Sequence, residues 1–168
     1  MPGKAIGRSL NYGFAGNFAR NPDLIAVTRP NNSNKNIIFG APLMADVLGG
    51  VVPVDDTFTV DLFAGIAGSA VKTEFSYFDQ EESSGKYAPK EPVTVVQRGS
   101  ISVICASGTP IIGGEVYVRI EEDGTKKIGD YETTSVAGEN VLLTNAQWGS
   151  GTDANGVAEL VLLTRNRA

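Results

Sequence analysis

Between Val60 and Ile120, β-branched and aromatic residues recur at every second position, and that period leaves little room for anything but a sheet. Val71, Thr73, Phe75 and Tyr77 share one face of one run, and Ile101, Val103 and Cys105 share a face of another, as in half-buried strands. Gly65, Gly68, Gly99, Gly108, Gly113 and Gly114 interrupt these runs, placing turns or close backbone approaches between strands of ordinary length. No reactive group is concentrated in the stretch.

A chain of 168 residues fits one domain and buries roughly 70% of its unfolded surface. With 42% hydrophobic residues it can build a core without disulfides or metals, and its 20 glycines and 8 prolines suit the many turns of an all-β domain. The expected fold is mainly β: a single-domain antiparallel β-sandwich or barrel, with an extended N-terminal arm and at most one short helix.

Charge and composition exclude several functions. A net charge of −5 argues against a surface that tracks phosphates, so nucleic acid is not an expected partner. The chain has no histidine, which rules out a Ser-His-Asp triad, a Cys-His dyad and an HExxH zinc site within one chain. The single Cys105 excludes an internal disulfide and reads as a buried structural thiol. Nowhere do 18 apolar residues run together, and the first twenty residues lack the apolar core of a signal peptide, so we expect no membrane partner and synthesis in the cytoplasm. The sequon Asn31-Asn32-Ser33 then reads as a turn.

Residues 1–22, rich in Gly, Asn and Arg, carry isolated aromatics without a sustained period and read as an arm; residues 23–168 form the β-rich domain. Leu24–Thr28 and Ile37–Gly40 are short strands separated by a Pro- and Asn-rich turn. Pro42 and the Gly49-Gly50 stop place a short helix over Ala41–Leu48. Val51–Val54 and Thr57–Asp61 pair around Asp55-Asp56, and residues 79–92 form a surface loop. Asp123-Gly124 suits a hairpin joining Glu115–Glu122 to Thr125–Ile128. Residues 129–156 are loop-rich apart from Asn140–Thr144. Val157–Thr164 closes the sheet as a central strand, with a short helix as the alternative.

Few residues invite a chemical role. Gly13–Gly16 and Gly149–Gly156 resemble phosphate loops in composition but lack the flanking strand, helix and lysine. Asp55-Asp56, Glu81-Glu82 and Glu121–Asp123 lack the alternating oxygen ligands of a calcium loop and read as solvated turn charge. No catalytic residue, cofactor or metal is therefore expected. Trp148 could anchor an interface, stack on a sugar or fill a core. Phe78 must point opposite to Tyr77, so one of the two meets solvent or covers a partner.

Taken in order, several segments resemble the structural cement, or capsid decoration, proteins of tailed bacteriophages. They are Gly13-Phe14-Ala15-Gly16 with Asp23-Leu24-Ile25, Ile38–Pro42, Phe63–Ala67, and Tyr87 ahead of Glu91–Val95. Gly99-Ser100-Ile101-Ser102-Val103, Gly114–Val118, and Ala146-Gln147-Trp148 with Gly156–Leu160 follow. Gly114-Glu115 stands where the family pattern has Gly-Asp, and the acidic hairpin over Glu121–Lys127 is extended. The resemblance implies a non-enzymatic protein on the exterior of an icosahedral virion head, where it joins major capsid protein subunits. A homo-oligomer on the capsid is expected, a trimer before a dimer. Tyr12, Phe14, Phe18, Phe78, Tyr87 and Trp148 are the expected capsid or oligomer contacts. A tail or neck subunit, or a carbohydrate-binding β-domain with its site near Trp148 or Tyr87, is the alternative.

Overall fold

The computed structural model of the chain describes residues 15–69 and 85–164, with backbone alone for residues 20–22. Tyr12, Phe14 and Phe78, and the strand expected through Val71, Thr73, Phe75 and Tyr77, lie outside the described residues. The described chain is built of strands with one 3-10 turn, Val60–Leu62. No described helix is long and apolar enough to cross a membrane.

In chain order the strands are β1 (Phe18–Pro30), β2 (Ile37–Ile38), β3 (Pro42–Ala45), β4 (Val51–Pro53), β5 (Phe63–Gly68) and β6 (Lys86–Tyr87). Then come β7 (Pro92–Ser107), β8 (Glu115–Arg119), β9 (Tyr131–Glu132), β10 (Asn140–Trp148) and β11 (Val157–Leu162). The 16-residue β7 organises them. One edge of its first half pairs with β5, through Val95↔Ala67 and Val96↔Ile66, while the opposite edge pairs with β1 from Pro92↔Pro30 to Ile101↔Phe18. Its second half pairs with β11, through Leu160↔Ile101, and in parallel with β9, through Cys105↔Tyr131.

These pairings make two rings on one shared strand. The circuit β7-β11-β10-β8-β9 returns to β7 and closes a five-stranded barrel without a free edge. On the other side the circuit β1-β7-β5-β3-β4 is brought round by the parallel bridge Asn31–Val51, giving a lobe. The separate pair β2–β6 packs Ile37 and Tyr87 into that lobe.

Each ring has its own core, and the period of two along β7 supplies both. Val93 and Val95 join Leu43, Val51, Ala64, Ala67, Phe39 and Tyr87 inside the lobe. Val96, Ile101 and Val103 join Trp148, Tyr131, Leu143, Leu160 and Leu162 in the barrel core, which continues over Met44, Phe63 and Ile66. Gly99 marks the handover from lobe to barrel: its φ is +111°, and a Cβ there would lie 2.3 Å from the Asp23 carbonyl oxygen. At that place β1 bulges between Arg20 and Ile25, so a side chain would push the two backbones apart.

Several sequence expectations change. Ala41–Leu48 is not a helix: Pro42–Ala45 is strand β3, buried between β4 and β5. Four consecutive apolar residues fit a buried strand as well as a helix, and the neighbouring strands decide. Val51–Pro53 pairs with β3 rather than with Thr57–Asp61, which runs into the 3-10 turn. The turn at Asp123-Gly124 forms, closed by the Asp123–Lys126 bridge, but the returning strand is Tyr131–Glu132. A strand placed earlier could not reach the parallel seat on β7 that closes the barrel. Asn140–Thr144 extends to Trp148, and Val157–Leu162 is paired on both sides, as a central strand should be. Strand β1 begins at Phe18, inside the segment read as an arm.

Candidate functional site

Three of the expected contact residues are visible, and they support the body of the protein. Tyr87 is 1% exposed; its hydroxyl donates to the Gly68 carbonyl, and its ring packs on Phe39 at 5.0 Å between centroids. Trp148 is fully buried and meets Tyr131 edge-on, with centroids 6.5 Å apart. A ring so enclosed offers no face to a sugar, so the carbohydrate reading of Trp148 and Tyr87 falls. Neither can serve as an exposed contact while the fold is intact. Phe18 is half-buried against the barrel core at the start of β1.

The acidic clusters behave as turns. Asp55 accepts the backbone N–H and hydroxyl of Thr57, while Asp153 accepts the N–H groups of Asn155 and Val157 within the glycine-rich loop. Among the described residues no group of three Asp, Glu or Cys side chains is placed to hold a metal. Glu81-Glu82 lies outside the described residues.

Sequence reasoning missed a buried ionic cluster at the rim of the barrel. Arg119 ends β8 with its side chain fully enclosed; its Nε donates to Glu132 Oε1 at 3.0 Å and its Nη1 to Glu139 Oε2 at 2.9 Å. Lys126 reaches the same Glu132 oxygen at 3.1 Å, and the Asn140 amide donates to the other at 2.6 Å. Burial alone would raise the Glu132 carboxyl; the hydrogen bonds from Asn140, Lys126 and Arg119 outweigh it and hold the group below its ordinary range. Burial would likewise lower Arg119, and its bonds to Glu132 and Glu139 reverse that. The cluster ties β8 and β9 to the segment between them and to the start of β10. Its partners lie up to 20 residues apart in sequence, with no local motif to announce them.

The exposed apolar residues are more informative about partners. Val47 and Leu48, 98% and 84% exposed, occupy the turn between β3 and β4; Ile111 and Ile112, 67% and 80% exposed, occupy the turn between β7 and β8. Hydrogen bonds close both turns. Asp46 accepts the N–H groups of Gly49 and Leu48, and the Asn32 side chain donates to its carboxylate at 2.7 Å, which holds that carboxyl below its ordinary value. In the second turn Gly114 N–H donates to the Ile111 carbonyl and Gly113 N–H to the Trp148 carbonyl, and Pro110 is buried. Gly49 and Gly113 follow each pair with φ of +82° and +79°, a conformation that suits glycine. A groove of about 300 Å³ lies between lobe and barrel, lined by Ile38, Pro42, Val54, Ile104 and Ile128 among others.

The described residues form a doubly ringed β-body with apolar turns held out from it. The chain belongs to the structural cement protein family (E217 gp24/Pam3 gp6), whose family model matches residues 2–163. It is a phage structural cement protein, associated with the virion capsid. The fold is also similar to a chain in a solved structure described as "The capsid of Myoviridae Phage XM1", with a TM-score of 0.70 at 18% identity over 98% of each chain. No curated protein matches.

Proposed function

We propose that this protein sits on the outer surface of an icosahedral head and joins neighbouring major capsid subunits, without enzymatic activity. Family membership over nearly the whole chain is the observation that carries this reading, and it favours the capsid over a tail or neck position. The architecture supports it in physical terms. Cement must resist strain without chemistry, and a barrel with no free edge deforms little because each backbone ladder is closed on itself. Contacts with several subunits at once gain from effective concentration, so modest individual contacts suffice. On the head the protein acts as a homo-oligomer, a trimer before a dimer, and the N-terminal segment with Tyr12 and Phe14 packs on a neighbouring subunit.

The test is to wash decorated heads in about 1 M NaCl, where the Debye length is near 3 Å, and then to heat heads with and without the protein. Exposed ion pairs contribute about 0–1 kcal/mol each and are screened by salt, whereas desolvated apolar anchors contribute about 2 kcal/mol or more. The protein should stay bound through the wash, and decorated heads should release their genome at a higher temperature. Equal heat resistance of bare and decorated heads would remove the cement function.

A further inference from the structure

We propose that Val47-Leu48 and Ile111-Ile112 are a pair of anchors that seat in apolar pockets on two different capsid subunits, so that the protein bridges them end to end through β7. This rests on the capsid reading above and names the residues that would carry it. Turn tips are ordinarily polar, built from Gly, Pro, Asn, Asp and Ser, so two neighbouring branched apolar residues there expose surface that a free protein gains nothing by exposing. One such pair would be unremarkable among surface residues. Here two pairs share one construction, with a hydrogen-bonded turn, two large aliphatic side chains outward, and a glycine at positive φ behind them.

Their positions match a bridge. Arg29 donates to the Gly49 carbonyl and Asn32 to Asp46, which fixes the first tip beside Pro30, the partner of Pro92 at the start of β7. The second tip lies on the loop that leaves Ser107 at the end of β7, and it is pinned to Trp148, whose neighbour across β11 is Ile101. These registers put the tips toward opposite ends of β7; its break at Gly99 keeps them closer than the roughly 50 Å that a fully extended strand of its 16 residues would span. The tips themselves are apolar, with the exposed Arg29 guanidinium beside the first. From Gly99 to Gly114 the sequence has no charged residue, and the only charge from Ala41 to Val54 is Asp46, whose carboxylate is engaged within its own turn.

The experiment uses full-length protein and heads assembled without it. Three variants are compared with the wild type: Val47→Ser with Leu48→Ser, Ile111→Ser with Ile112→Ser, and all four together. Each should melt like the wild type, since the replaced side chains face solvent. Loss of one anchor should weaken binding to heads about 100-fold, the scale of a lost second attachment, and loss of both should abolish it at concentrations that saturate with wild type. At concentrations high enough to occupy the heads, a single-anchor variant should leave their heat resistance at the bare-head level. Binding of the fourfold variant within about threefold of wild type, or a loss confined to one tip, would overturn the two-anchor proposal while wild-type binding keeps the capsid reading intact. If wild-type protein itself fails to bind the heads, both fall.

Discussion

Barrel and lobe share a strand yet are stabilised differently. The barrel is closed by hydrogen bonds on every side and filled by large side chains, Trp148, Tyr131, Leu143, Leu160 and Leu162, with charges buried at its rim. The lobe is assembled from strands of two to six residues apart from β1 and β7, and its core mixes small side chains, Ala64 and Ala67, with the Phe39–Tyr87 pair. Short strands cannot hold register alone; the lobe takes its order from the first half of β7. The barrel therefore sets global stability, and the lobe positions one anchor against it.

The largest test of that division is Trp148→Ala. It empties the centre of the barrel and should cost about 3–5 kcal/mol in denaturant unfolding. Trp148→Phe should cost much less, since it also removes a buried indole N–H that has no hydrogen-bond acceptor among the described residues. Arg119→Met should follow, at about 3 kcal/mol, the lower end for removing one partner of a buried pair, because Lys126 and Asn140 stay on Glu132. In the lobe, Tyr87→Phe loses the bond to Gly68 and should cost about 1 kcal/mol. If the lobe depends on β7 as argued, fluorescence of Trp148, the single tryptophan, which reports on the barrel alone, and far-UV circular dichroism should give coincident transitions in the wild type, Arg119→Met and Tyr87→Phe. Separate transitions would make the lobe an independent unit.

Acid gives the smallest and most specific effect. The folded carboxyl of Glu132 ionises at lower pH than the unfolded group, whose ordinary value is 4.5. Its contribution is therefore complete above that value and is lost as pH falls through the depressed folded one. Stability should decline on acidification below about pH 4.5, and Glu132→Gln should be less stable at neutral pH but flatter across that window. An unchanged acid slope in the variant would place the titration elsewhere.

Much of the barrel could be read directly from the residues. The alternation in Ile101 and Val103 and the continuous run Val157–Leu162 are strong signals because each strand is buried against a regular face. The lobe was harder. Pro42–Ala45 is too short to display a period, and its proline and following glycines mimic a helix start and stop. Arg119 stands at a strand end, where a charged residue normally reads as exposed; only the return of β9 beside β7 buries it. The aromatics Tyr87 and Trp148 drew attention as contacts by residue type, yet depth in the fold removes them from the surface. Ile111 and Ile112 fall within a stretch whose pattern is that of a core, since sequence does not distinguish an aliphatic pair at a turn from one in a strand.

The most direct measurement is a map of an intact head resolved well enough to trace β7. It should show the two-ring body outside the shell, spanning a junction between capsid subunits, with the Val47-Leu48 turn on one subunit and the Ile111-Ile112 turn on another. A body resting on a single subunit with either turn in solvent would contradict the bridge, and its absence from the shell would contradict the placement itself.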